Sequence, residues 1–302
     1  MLTIFTDTRF DFMTKRRGAY VVSAIVILVG IVSMVMHGGL RMGIDFAGGR
    51  LIEVRTSERI TVEEARSAVE TAGFTSAEIQ AIRGTRDILI RIPDDSVQEG
   101  GDASPSARIM TAIEQEHGGI DVELLREELV GAKVGQEIRQ QAFWAILLSL
   151  GLILIYIGVR FEFRFGLGAV AALTHDVLIT LTLFSLFDKE ITMPVVAALL
   201  TIASYSINDT IVVFDRIREQ LVKLRRESFF NVLNISINQT LSRTVITAAT
   251  TLLTALALLF LGGEVIHDFA FAIAVGIIVG TYSSIFVASA LVLELRKARE
   301  AK

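Results

Sequence analysis

The chain has 302 residues, 52% of them hydrophobic and 21% charged, a formal net charge of -4 and no cysteine. Without cysteine there is no disulfide framework, no thiolate metal site and no cysteine nucleophile. A mean hydropathy of +0.57, with the charges gathered into blocks, places the chain in a membrane, where orientation follows from the position of Lys and Arg and not from net charge.

Lys15, Arg16 and Arg17 stand ahead of an apolar run from Ala19 to Met36, about 18 residues, enough to cross ~27 Å at 1.5 Å per residue. The apolar part of a signal peptide is shorter, and His37-Gly38-Gly39-Leu40 offers no small-x-small cleavage site. The expectation is an uncleaved first span over 19–37, preceded by a cytoplasmic segment over 1–18.

Residues 38–141 are expected to form a periplasmic domain. Arg50–Thr56 alternates like a strand, and Thr61-Val62-Glu63-Glu64 is a capping box opening a helix that stops at Gly73. Strands are expected at Ala77–Ile82 and Asp87–Ile92 around Gly84, then a helix over Pro105–Glu116 and a last strand at Asp121–Leu129. This order, βαββαβ, predicts a small α+β ferredoxin-like domain. An acidic, glycine-rich loop over 94–104 is expected to be mobile. Residues 38–141 carry 12 Lys and Arg against 19 Asp and Glu, which argues against nucleic acid.

Five further apolar segments, 142–159, 166–187, 194–214, 244–261 and 269–293, bring the spans to six. Residues 1–17, 160–165, 215–243 and 294–302 hold 16 Lys and Arg against 8 acids, whereas 188–193 and 262–268 hold only Lys189 against four acids. The positive-inside rule therefore puts both termini in the cytoplasm of a multi-pass inner-membrane protein, with a basic cytoplasmic loop at 215–243 and a C-terminal tail at 294–302. In that loop Arg216, Arg218, Lys223, Arg225 and Arg226 interleave with Ile217, Leu221, Val222 and Leu224, the pattern of an amphipathic helix on the membrane surface. A solvated face and a contact with anionic membrane lipids or a partner fit it equally.

The chemistry concentrates in the fourth span, where Asp209 is flanked by Ser206, Asn208 and Thr210. A carboxylate at that depth costs roughly 2.5–3.5 kcal/mol even on the lenient insertion scale, so an ion or proton relay is favoured over a structural role. Arg243 begins the fifth, antiparallel span. It either reaches inward to hold the Asp209 carboxylate ionised or snorkels to the headgroups. His175-Asp176 in the third span is a second polar pair; adjacent helical positions diverge by about 100°, so one side chain is expected to pack while the other faces the polar interior. Gly43-Ile44-Asp45-Phe46-Ala47-Gly48-Gly49 lacks the Gly-Lys-Ser/Thr ending of a P-loop and the dinucleotide spacing. No ATP site or other cofactor follows from it, and its glycines are read as positive-φ and close-packing positions where the chain enters the domain. Gly276 and Gly280 form a GxxxG pair that lets the sixth helix pack closely. His37 and His267 fall at membrane boundaries, and no zinc or hydrolase constellation is visible, so the chain does not read as an enzyme.

Four stretches carry a resemblance: Ser206–Glu219 (SINDTIVVFDRIRE), Asn238–Thr244 (NQTLSRT), Gly280–Ala288 (GTYSSIFVA) and the Gly43–Gly49 run. In this order the chain resembles the bacterial SecD/SecF family of protein-translocase subunits, within the resistance-nodulation-division export superfamily. The resemblance implies an auxiliary subunit of the Sec preprotein translocase that pairs with SecD and sits beside the SecYEG channel. YajC and YidC are further candidate partners. Together with SecD it would use the proton-motive force, or sodium in some relatives, to draw out preproteins pushed in by SecA. It also implies that Asp209 is the ion-coupling carboxylate and Arg243 the essential arginine. In the mechanism expected from these readings, Gly43, Asp45, Gly48 and Gly49 are a hinge on which the outer domain swings. Two other classes remain open: an ion-driven exporter of small hydrophobic solutes or lipids, and a passive translocon scaffold.

Overall fold

The structure, a computed structural model, describes residues 8–82, 84–93 and 104–300; the acidic loop expected to be mobile, apart from Ser104, lies outside them. The chain divides into two compact units, residues 42–143 and a helical unit made of the remainder.

In the first unit a single turn, α2 (Ile44–Ala47), precedes β1 (Gly49–Thr56), α3 (Val62–Thr71), β2 (Glu78–Ala81), β3 (Asp87–Ile92), α4 (Pro105–Glu116) and β4 (Val122–Val130). The strands make one antiparallel sheet in the order β2-β3-β1-β4, the ferredoxin-like arrangement that the βαββαβ order predicts. Period-two alternation decides which face is dry: Ile88, Ile90 and Ile92 of β3 and Ile52 and Val54 of β1 are buried with Val69 of α3 and with Ile109 and Ile113 of α4. Local chemistry sets the helix ends. The Thr61 hydroxyl accepts from the Glu64 amide at 3.2 Å while Glu64 Oε2 accepts from the Thr61 amide at 2.7 Å, closing the capping box. Gly73, at φ +94, supplies the left-handed residue that stops α3.

The two conditions expected of the glycine run are met at its end. Gly48 and Gly49 have φ of +78 and +127; a Cβ on Gly48 would lie 2.9 Å from Ala132 Cα and one on Gly49 2.5 Å from the Ile92 carbonyl oxygen. The approach to β1 is thus wedged between neighbouring backbone.

The helical unit contains α1 (Arg16–Met36), α6 (Phe163–Leu186), α7 (Met193–Lys223), α8 (Phe229–Leu261) and α9 (Glu264–Ser283), which passes through a π-helical turn (Ser284–Ser289) into α10 (Ala290–Glu300). Helix α5 (Ala132–Arg160) starts in the first unit and ends in this one. Six helical stretches are long and apolar enough to cross a membrane. Of their most apolar windows, 56% is buried in α6 and α7 but only 11% in α5 and α8, so α6 and α7 are central.

The stretch 215–243, set apart by its charge, is a helical hairpin formed by the ends of α7 and α8. Arg216 and Gln220 both donate to Gln239 Oε1, at 2.7 and 3.0 Å, which joins two of the stretches that carry the family resemblance. The N-terminal segment is held against α8 by amide side chains that mimic strand pairing: Asn238 accepts from the Phe10 amide at 2.9 Å and donates to its carbonyl at 2.8 Å. Asn234 accepts from the Met13 amide at 3.1 Å and donates to the Asp11 side-chain carboxylate at 3.0 Å.

One ion pair in the first unit gives a pH dependence. Arg55 on β1 faces Asp87 on β3 in register and holds both carboxylate oxygens, at 2.7 and 3.1 Å. This guanidinium holds the Asp87 carboxyl below its usual value of 3.8, against the opposing effect of burial. A depressed carboxylate stabilises the fold above its unfolded pKa and ceases to do so as pH falls through the folded value. The sheet should therefore lose protection against hydrogen exchange as pH drops below about 4. Asp87→Asn should cost about 1–3 kcal/mol at neutral pH and abolish that part of the acid response, as read by amide exchange in β1 and β3 of the full chain.

Candidate ion-coupling site

Asp209 lies on the buried face of α7, in a helix whose apolar positions Ile202, Ala203, Val213 and Phe214 are buried around it. It is 5% exposed, and its Oδ2 has no hydrogen-bond partner among the described residues, nor has the Thr210 hydroxyl beside it. Arg243 of α8 is the cation that acts on it electrostatically. No ion pair within 4 Å joins the two, and Arg243 is exposed on the helix surface. The carboxylate is thus desolvated, near one positive charge and unbonded at one oxygen, the state of an acid with capacity for a proton or a small cation.

Asp176, one helix away on α6, is the opposite case. It is fully buried, with Oδ2 accepting from Ser206 of α7 at 2.5 Å and from Ser283 of α9 at 2.8 Å, and with Oδ1 3.0 Å from His175 Nδ1. His175 Nε2 lies 2.9 Å from the Ser23 hydroxyl of α1, and Ser23 lies 3.1 Å from the Tyr282 hydroxyl, which donates to the Ala19 carbonyl at 2.8 Å. A continuous line of polar contacts therefore links α1, α6, α7 and α9.

The expectation that one member of the 175–176 pair packs while the other is polar is corrected by this geometry. The divergence of about 100° applies to the Cα–Cβ bonds; a ring nitrogen and a carboxylate oxygen beyond them meet while each also bonds a different helix. The three polar residues grouped around Asp209 also separate. Ser206 serves Asp176, Thr210 stays beside Asp209, and Asn208 is exposed on the outer face of α7 with Thr201 and Ser204. On α8, Arg243, Thr250 and Thr254 are also exposed. Ser23, Tyr282 and Ser283 were missed as site residues; the available signal was a hydroxyl inside an otherwise apolar span, which is too common in membrane helices to single out one residue.

Gly276 and Gly280 stand where α9 meets α7. A Cβ on Gly276 would sit 2.2 Å from Ile202 Cγ1, and one on Gly280 3.1 Å from Ser206 Cβ. This close approach brings Ser283 and Ser206 to the same oxygen of Asp176. The glycine run 43–49, with Asp45 in α2, belongs to the other compact unit.

Residues 109–298 match the family described as protein export membrane protein SecD/SecF, C-terminal, and residues 35–58 match the SecD/SecF GG motif. The chain belongs to the SecD/SecF family. It is 44% identical to the protein translocase subunit SecF of Rhodothermus marinus over 98% of this chain and 96% of that one. To the SecF of Haemophilus influenzae it is 40% identical, over 96% and 87%. The SecDF of Thermus thermophilus is 43% identical over 98% of this chain, which spans only 40% of that longer protein. A crystal structure of SecDF from the same genus superposes with a TM-score of 0.85 at 41% identity, covering 96% of this chain and 39% of that chain. Within the SecD/SecF family, then, this chain corresponds to a part that exists both as a separate subunit and fused to a larger one.

The glycine contact yields a prediction. Gly276→Ala should destabilise the α7–α9 pair by about 1–3 kcal/mol through overpacking, lowering the melting temperature of the full chain in lipid nanodiscs, and Ile202→Ala in the same molecule, which removes the γ and δ carbons that the added Cβ meets, should recover part of the loss.

Proposed function

We propose that this chain is an auxiliary subunit of the Sec preprotein translocase that couples an ion gradient across the cytoplasmic membrane to protein export, with Asp209 as the ion-binding carboxylate and Arg243 as its counter-charge. The observation that carries this reading is the buried Asp209 with an unbonded oxygen and, on the next helix, the arginine that acts on it electrostatically. Binding of a proton neutralises the carboxylate and releases its attraction to Arg243; loss of the proton restores it. Moving one charge through 100 mV supplies ~2.3 kcal/mol, enough to bias two arrangements of the helices more than tenfold.

The partner is SecD. The exposed polar face formed by Asn208, Ser204, Thr201 and Arg243 is unsuited to lipid and suited to another polar helix face, and in the relative named SecDF the two parts are one chain. SecYEG, the translocating preprotein, YajC and YidC complete the proposed set, with both termini cytoplasmic and residues 38–141 periplasmic. Gly43, Asp45, Gly48 and Gly49 form the hinge on which that domain swings.

Reconstituted with SecD and the channel, the unaltered chain should give secretion that rises with an imposed gradient. Asp209→Asn should remove that stimulation while leaving ATP-driven translocation intact, and Arg243→Ala should reduce it by at least tenfold. Running the assay separately under H⁺ and Na⁺ gradients identifies the ion. Gradient-stimulated secretion that persists unchanged in Asp209→Asn would sink the reading.

A further inference from the structure

The line of contacts from Ala19 to Asp176 can be counted in protons. Tyr282 gives its one hydroxyl proton to the Ala19 carbonyl oxygen at 2.8 Å. The 3.1 Å contact between Ser23 and Tyr282 therefore uses the proton of Ser23. Ser23 then has only lone pairs left for His175 Nε2, 2.9 Å away, so Nε2 carries a proton. On the other side of the ring, Nδ1 faces Asp176 Oδ1 at 3.0 Å, and that contact also needs a proton on one atom or the other. Asp176 Oδ2 already accepts from Ser206 at 2.5 Å and from Ser283 at 2.8 Å, the shorter of the two contacts open to the single Ser283 proton, the other being the Gly280 carbonyl at 3.1 Å. His175 and Asp176 thus hold two protons between them, one more than a neutral imidazole beside an ionised carboxylate.

We propose that His175 and Asp176 form a second proton-binding site of the membrane unit, separate from Asp209, whose extra proton is held by the hydrogen-bond chain through Ser23 and Tyr282. The protonated pair is neutral overall, which suits a carboxylate with no exposed surface and an imidazole only 7% exposed among membrane-spanning helices. Release of one proton leaves the pair with a net negative charge. The Nε2–H bond breaks, Ser23 turns its hydroxyl toward the bare nitrogen, and the Ser23–Tyr282 bond is lost unless Tyr282 lets go of Ala19. Deprotonation therefore loosens the tie between α1 and α9 while Ser206 and Ser283 still hold Asp176 to α7 and α9.

Other charged and titratable groups on the packed helices are few. Tyr282 of α9 stacks on the imidazole with centroids 5.8 Å apart. On α7 Tyr205 adjoins Ser206, and Asp209 follows one turn on. On α1 Tyr20 lies one turn from Ser23 and Arg16 two turns away, where it is paired with Glu294 of α10 at 2.6 Å. The site thus has no cation of its own among the described residues, and the hydroxyl chain is what favours the added proton.

The test uses the full chain in lipid nanodiscs without other Sec components, so its outcome is independent of the transport reading. Four histidines are present; His37→Gln, His117→Gln and His267→Gln leave His175 as the sole imidazole without touching the buried network. Nitrogen-15 spectra then report which ring nitrogens carry protons, and the infrared difference against Asp176→Asn reports the carboxyl. At about pH 7, where a free histidine is mostly neutral, the expected result is a doubly protonated ring beside a carboxylate, or a singly protonated ring beside a carboxylic acid. A singly protonated ring beside an ionised carboxylate at that pH overturns the proposal. Tyr282→Phe removes the acceptor of the Ser23 hydroxyl and frees it for Nε2, so the proton affinity of the pair should fall about fivefold, one hydrogen bond of about 1 kcal/mol. A midpoint that does not move in a Tyr282→Phe chain with unchanged melting temperature overturns the role of the hydroxyl chain.

Discussion

A carboxylate among bilayer-spanning helices must be neutralised, hydrogen-bonded or put to use, because no water is there to solvate it. The helical unit holds two such carboxylates one helix apart. Asp176 has each oxygen bonded, to His175 on its own helix and to Ser206 and Ser283 on two others. Asp209 keeps a bare oxygen and an unpaired arginine nearby. Ser206 and Asp209 are three residues apart on α7, so the helix that is pinned by the first carboxylate is the one that presents the second.

That pinning depends on backbones approaching closely, since burial of apolar side chains against one another gains little over burial in lipid. Gly276 lets α9 close on α7 at Ile202, and Gly30 lets α1 close on α6, where a Cβ would fall 1.9 Å from Thr182 Oγ1. The consequence on the α1–α6 side is a second set of hydroxyl contacts, Ser33 with Ser185 at 2.8 Å, parallel to the tie between Ser23 and His175. Small residues thus determine distance and hydroxyls determine register, and the apolar majority of each helix sets neither.

Residues 42–143 follow the rules of water instead. One face of the sheet is dried by two helices, and Ile52 and Val54 of β1 and Ile88, Ile90 and Ile92 of β3 reach it by their shared parity. Asp87, at the start of β3, is buried and is answered in register by Arg55, so the pair ties strand alignment to the ionised carboxylate. Gly48 and Gly49 stand where the chain enters β1, at positions where a side chain would strike the backbone of Ile92 or Ala132.

From the sequence alone, the six apolar spans, the βαββαβ order, the capping box at Thr61 and the presence of a carboxylate, Asp209, inside an apolar span were all legible, because each rests on local period, local turn chemistry or one charge against an apolar background. The partners of the polar residues were not. Ser206 and Asn208 look equivalent beside Asp209, yet the first turns to Asp176 and the second faces outward, a difference set by how α7 is rotated against α6 and α9. Likewise His175 and Asp176 were expected to part company, but they bond to each other and to opposite neighbours. Helix rotation and separation come from glycine contacts between stretches far apart in the chain, and a linear pattern holds no record of which glycine meets which side chain. The sequence by itself determined where charge enters the membrane; only tertiary packing decided which of those charges is satisfied and which is left with an open oxygen.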